Sequence, residues 1–166
     1  MDLFIVRHGI AGDRLAWRGR DADRPLTPKG VERTRAVAEG LHALGCRPDR
    51  IGTSPLLRAS QTADLMAEVL GPDVPVEVCS FLGMGASARE VAAWLRGLDD
   101  ETVMIVGHMP GVAEIASGLL CRGASLPIVF RKAAVCCLAF DGRPGPGRAR
   151  LEWLLQPRHL RGLAAR

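Results

Sequence analysis

The sequence predicts an α/β fold of three layers, a mainly parallel central sheet flanked by helices, with an antiparallel edge strand. Short apolar runs rich in β-formers alternate with longer segments of helical period, the pattern of a layered α/β chain. The run at 102–106 is apolar throughout, as a strand covered on both faces requires. Two late strands, 135–140 and 151–155, are joined by a loop at 141–147 whose Gly and Pro content forbids regular structure, so they pair antiparallel. With 166 residues, 48% of them hydrophobic, the chain can bury a sizeable core as one domain, 1–166.

The elements follow in order. Residues 3–6 form the first strand. A helix then runs from about residue 27 to 44, with Thr27 as N-cap, Pro28 at the first helical position and Gly45 as stop, and Val31, Thr34, Ala38 and Leu41 facing inward. Residues 50–53 read as a second strand. Ser54-Pro55 reads as a cap and helix-starting proline, with Thr62, Leu65, Met66 and Val69 as the buried face before Gly71. A brief strand lies near Val76. Ser87 and Glu90 form a capping box ahead of a helix through Val91, Trp94, Leu95 and Leu98. After the central strand Pro110 opens a helix that ends near Leu120, and the tail after Pro157 is a short helix or frayed.

Composition excludes several functions. The five cysteines show no Cys-x-x-Cys spacing and the four histidines are scattered, which disfavours a disulfide framework or a zinc site, so reduced thiols and no metal are expected. Cys136 and Cys137 are adjacent on a strand and should pack on opposite faces. The net charge of +4 invites a nucleic-acid reading. Against it, the basic residues are spread along the chain, there is no tyrosine, and no recognition motif appears. A basic surface that attracts phosphorylated substrates is the expectation instead. The first apolar stretch is far too short for a membrane span or a secretory core, so a cytoplasmic protein without membrane association is expected.

Three polar groups sit just after strands: Arg7-His8-Gly9, Ser54-Pro55-Leu56-Leu57-Arg58, and Gly107-His108-Met109-Pro110. In open α/β sheets the carboxyl ends of parallel strands line the ligand crevice, so two histidines and two arginines should meet there. Guanidinium forks match phosphoryl oxygens, and helix N-termini after Ser54 and His108 would add donors. A neutral imidazole is a good nucleophile towards phosphorus, a part that either His8 or His108 can play.

These residues, together with Arg24-Pro25-Leu26-Thr27 and the Gln61-Thr62 that follow Arg58-Ala59, resemble the signature of the histidine phosphatase superfamily, which includes phosphoglycerate mutases. The short length and the Arg-Pro-Leu-Thr element resemble the SixA-type protein phosphohistidine phosphatases more than the mutases. The resemblance implies a phosphoglycerate mutase-like fold and phosphoryl transfer through phospho-His8. It implies that Arg7, Arg58 and His108 hold the transferring group and that Gly9 orients the His8 ring; Gly9, Arg24, Ser54 and Met109 are the further candidates for phosphate binding. It implies no cofactor. The implied partner is a phosphorylated protein, such as a histidine phosphotransfer domain, or else a small phosphorylated substrate.

One departure bears on that choice. Many members carry a glutamate after the third strand that protonates the leaving oxygen. Here 81–86 reads Phe-Leu-Gly-Met-Gly-Ala, with Glu77 a little upstream. An alkoxide leaving group benefits from such an acid by ~10²–10⁴-fold, whereas a protonated imidazole can leave without one, so phosphohistidine is favoured over a phosphate ester. A catalytically silent phosphate-binding protein is the rival of another class. Bland readings stand beside these: Arg24 can simply pair with Asp21 or Asp23, His42 and His159 belong on the surface, and Trp94 and Trp153 are packing residues.

Overall fold

A computed structural model describes residues 1–83, 85–123 and 125–165. One mixed sheet contains β1 (Asp2–Arg7), β2 (Arg50–Thr53), β3 (Val76–Val78), β4 (Thr102–Gly107), β5 (Val135–Ala139) and β6 (Arg150–Leu155), in the order β3-β2-β4-β1-β5-β6. The first four strands are parallel, β5 runs antiparallel to β1, and β6 antiparallel to β5. The three-layer α/β architecture and the antiparallel edge expected from the sequence are both present.

Among the described residues, five α-helices cover the sheet: α1 (Pro28–Ala43), α2 (Leu57–Leu70), α3 (Ala88–Leu95), α4 (Gly111–Leu120) and α5 (Pro157–Ala164). Alternate residues of β1 and β4 feed two cores, because successive side chains leave opposite faces of a strand. Phe4, Val6, Met104 and Val106 pack with Val37, Leu41, Met66 and Leu160 from α1, α2 and α5. Leu3, Ile5, Val103 and Ile105 pack with Val91, Leu95, Ile115 and Leu119 from α3 and α4. Fully burying a side chain of this kind stabilises by roughly 1.5–3 kcal/mol, so the two central strands anchor both layers. Cys136 and Cys137 divide between the cores as their adjacency requires. Burial pushes both thiols up to about 12, so they remain protonated.

Several boundaries follow their local signals. Thr27 accepts a hydrogen bond from the Gly30 N–H with Pro28 at the first position, Gly45 adopts the left-handed φ of 77° just past α1, and Ser87 and Glu90 complete the capping box. Three readings need correction. Helix α2 begins at Leu57, not at Pro55, because the Ser54 hydroxyl accepts from the Leu56 N–H and bonds His108, holding 54–56 in a turn. Leu98 lies beyond α3, and Val31 and Val69 are only half-buried. The tail folds as α5, with Arg166 outside the described residues, and it docks where Gly40 lets α1 approach closely: a Cβ there would stand 2.1 Å from the Leu160 carbonyl oxygen. Trp153 stacks on Phe4, and Trp94 packs on Phe81 while donating to Glu77. Among the described residues no helix is long and apolar enough to cross a membrane.

Candidate functional site

Strand register brings the distant motifs together. Arg7 on β1 pairs with Gly107 on β4, and Thr53 on β2 with Val106. The next residues, His8, His108 and Ser54, therefore emerge side by side at the carboxyl ends of parallel strands. The His8 N–H still donates to the Gly107 carbonyl (3.0 Å) and the Ser54 N–H to that of Val106 (3.0 Å). The two imidazole centroids lie 5.0 Å apart, over a pocket of about 610 Å³ that Arg7, His8, Arg24, Arg58, His108 and Met109 all line. A cleft of about 580 Å³ at the opposite ends of the strands, by Asp2 and Thr102, has no histidine in its wall.

Backbone contacts set the His8 tautomer. Its Nδ1 lies 2.7 Å from the Gly9 carbonyl, which can only accept, so Nδ1 carries the proton and Nε2 keeps its lone pair. Gly9 is held in turn: its N–H donates to Thr62 Oγ1 (3.0 Å), whose hydroxyl donates to the Arg58 carbonyl (2.7 Å). A side chain at Gly9 would meet Thr34 Oγ1 at 2.3 Å, so only glycine lets this segment lie against α1. The His8 pKa is pushed down to about 3, by burial first, with the charges of His108, Arg58 and Arg7 adding to it and the Gly9 hydrogen bond opposing. His8 is therefore a neutral base at ordinary pH.

His108 is held from behind. Its Nε2 lies 2.7 Å from Ser54 Oγ. Ser54 Oγ also accepts from the Leu56 N–H, and when its own hydrogen goes to Nε2 the ring proton lies on Nδ1. Burial, then Arg58, lowers the His108 pKa to about 4.

The arginines are fixed by acceptors around the rim. Arg7 Nη1 donates to the Phe130 carbonyl at 2.7 Å. Arg58 is almost wholly buried, and it donates to the Asp21 carbonyl (2.9 Å) and to Asp21 Oδ2 (3.1 Å). Arg24 donates to Asp21 Oδ1 (2.9 Å) and to the Gly12 carbonyl (2.6 Å). Asp21 thus bridges two cations. Burial pushes its carboxyl up, but the Arg24 hydrogen bond and the Arg58 and Arg24 charges outweigh this and hold it below the usual range. Lys132 also lines the pocket, its pKa lowered by burial and by Arg7, Arg24 and Arg58. Among the described residues, the buried side-chain polar atoms left without a hydrogen-bond partner are Arg7 Nε, Arg58 Nε, His108 Nδ1 and Thr34 Oγ1. Three of the four belong to pocket-lining side chains, and an unsatisfied buried donor costs about 1–3 kcal/mol.

Not every residue singled out from the sequence faces the pocket. Arg7, His8, Arg24, Arg58, His108 and Met109 do, whereas Ser54 and Gly9 stand behind the histidines and act on them. Glu77 is turned away: its carboxylate accepts from Trp94 Nε1 (3.0 Å) and pairs with Arg50. In the stretch 81–86, Met84 lies outside the described residues. Asp21, Thr62 and Lys132 were missed as site residues. Thr62 stood within the quoted motif and Asp21 three residues before Arg24, but Lys132 carried no signal. No group of three or more His, Cys, Asp or Glu among the described residues is placed to hold a metal ion.

Comparison with known proteins gives the same picture. The family model for the histidine phosphatase superfamily (branch 1) matches residues 3–83. The phosphohistidine phosphatase SixA of Escherichia coli (strain K12) is 30% identical over 164 residues, 97% of each chain. An uncharacterized protein of Picosynechococcus sp. is 39% identical over 139 residues, 81% of this chain and 82% of its own. The solved structure of the protein histidine phosphatase SixA complexed with tungstate superposes with a TM-score of 0.84 at 29% identity, covering 96% of this chain and 99% of that one. The strand-end histidines and arginines, the sheet order and the full-length likeness to SixA together place the chain in the histidine phosphatase superfamily, among its SixA-type members.

Proposed function

We propose that the protein is a phosphohistidine protein phosphatase that works through a covalent phospho-His8 intermediate. The observation that carries this reading is the fixed tautomer of His8: Nδ1–H is tied to the Gly9 carbonyl, and a neutral Nε2 remains beside Arg7, Arg58 and His108. In the first step Nε2 forms a bond to phosphorus while the P–N bond to the substrate histidine breaks, and that imidazole leaves with a proton from solvent. In the second, water attacks phosphorus, the P–N bond to His8 breaks, and inorganic phosphate departs. Capture on His8 divides one displacement into two easier ones.

Arg7, Arg58 and the His108 Nδ1–H hold the phosphoryl oxygens, and an oxyanion among them satisfies donors that are otherwise buried without partners. Binding a phosphoryl dianion also offsets the positive field that depresses the two histidines. The tungstate bound by the related SixA is a tetrahedral oxyanion of the same shape. Arg24 acts through Asp21, which it grips together with Arg58. Asp13 and Asp21 are the carboxylates that line the pocket; Asp21 is held by arginines, and Asp13 Oδ1 accepts the Leu15 N–H. A substrate whose leaving group needs no carboxylic acid suits this arrangement, which favours phosphohistidine over a phosphate ester.

The test is phosphate release from a phosphohistidine protein and from a panel of sugar and nucleotide phosphates, by wild type and His8→Ala. Wild type should prefer the protein and take up an acid-labile, base-stable phosphoryl label that His8→Ala lacks. Faster release from the esters would overturn the substrate class, and labelling retained by His8→Ala would overturn the nucleophile.

A further inference from the structure

A second concavity of about 430 Å³ adjoins the pocket and shares Arg7 and Lys132 with it. Arg33 on α1, Arg131 beside Lys132 on the approach to β5, and Arg158 and Arg161 on α5 supply the remaining charge. Among the described residues no acidic side chain lines this groove, and none lies within 4.0 Å of any of its six cations. That sets it apart from the phosphate pocket, where Arg24 and Arg58 share Asp21.

The groove is built rather than incidental. Gln156, the N-cap of α5, donates from Nε2 to the Val129 carbonyl (2.7 Å) and accepts the Arg131 N–H on Oε1 (3.1 Å), tying the 129–131 segment to the helix. The glycine contact between Gly40 and Leu160 fixes α5 against α1. Six like charges on this frame repel one another, a cost that an anionic partner removes. They surround an apolar floor of Ile10, Ala133 and Pro157, and among the described residues no aromatic ring lines it on which a base could stack. Dispersed charge over apolar ground fits a protein face better than a single phosphate, which wants converging donors.

We propose that this groove docks an acidic face of the phosphorylated protein, with carboxylates flanking the phosphohistidine set against Arg33, Arg131, Arg158 and Arg161 while the phosphoryl group passes Lys132 into the pocket. The inference rests on the phosphohistidine reading above and names how that substrate is recognised. It predicts steering of the protein substrate and indifference to a small donor.

The experiment measures kcat/KM on two substrates, a phosphorylated histidine phosphotransfer domain with acidic residues around its histidine, and phosphoimidazole. It uses wild type, the groove variant Arg131→Glu/Arg158→Glu at two exposed positions, and a charge-matched control, Arg122→Glu/Arg143→Glu, in the separate arginine cluster around Pro144. The groove variant should lose on the order of tenfold or more on the protein, mainly through KM, and its salt dependence should flatten. Phosphoimidazole turnover should stay unchanged, and the control should stay within about twofold of wild type on both substrates. Equal activity of wild type and groove variant on the protein, an equal loss on phosphoimidazole, or an equal loss in the control would each overturn the docking site. Single-stranded DNA retained by wild type and not by the groove variant, without effect on the protein substrate, would assign the groove to nucleic acid and overturn it too. A wild type that hydrolyses phosphoimidazole but leaves the phosphoprotein intact would sink the functional reading itself, and docking with it.

Discussion

At the scale of single residues, the protonation of the two buried histidines ties the site to the stability of the fold. His8 is held near 3 and His108 near 4, against 6.5 for a free imidazole. Below about pH 6.5 the unfolded chain therefore binds more protons than the native one, and stability falls as pH drops through the window from 6.5 towards 3. Each pH unit of separation is worth about 1.4 kcal/mol per group. A His8→Asn variant removes one such group, so its urea midpoint should fall less than that of wild type between pH 6.5 and 4.5. Parallel midpoints across that range would contradict a neutral, buried His8.

At the scale of elements, α1 carries two glycines that serve different neighbours. Gly30 faces the segment after His8, where a Cβ would stand 2.0 Å from the Ile10 carbonyl oxygen, and Gly40 faces the Leu160 carbonyl of α5. Backbone cannot swing aside as a flexible side chain can, so either alanine should cost roughly 1–3 kcal/mol, read from the denaturant midpoint. Only Gly30→Ala should also slow turnover of phosphoimidazole, because the 9–11 segment continues from the Gly9 that orients His8. Comparable turnover by Gly30→Ala and Gly40→Ala would show that α1 does not position the nucleophile.

At the scale of the whole molecule, the pocket lined by Arg7, His8, Arg58 and His108 exists only in the native state, assembled from loops after β1, β2 and β4, and the proposed function makes it a phosphate site. Ligand binding therefore adds to stability by mass action. Tungstate at a hundred times its Kd should stabilise the protein by about 2.7 kcal/mol, visible as a rise in Tm. In Arg58→Ala the rise should largely vanish while the fold persists, since Asp21, the partner of the buried guanidinium, keeps its hydrogen bond to Arg24. An undiminished Tm shift in that variant would remove Arg58 from the phosphate site.

What the sequence determined by itself was local or periodic. The apolar runs marked the strands, Thr27, Ser87 with Glu90, and Gly45 marked helix ends, and the order of strand-end motifs placed Arg7, His8, Arg58 and His108 at one crevice. These features follow from backbone propensity and from the rule that parallel strands present their carboxyl ends together, so a linear reading reaches them. Tertiary structure alone decided which side chains hold those residues: Asp21 grips Arg58 from 37 positions away, Ser54 bonds His108 from 54, and Thr62 supports Gly9 from 53. It also gathered Arg33, Lys132 and Arg158 from separate elements into one groove. Such pairings depend on strand register and helix docking, which bring polar atoms within about 3 Å without leaving any spacing in the chain to announce them.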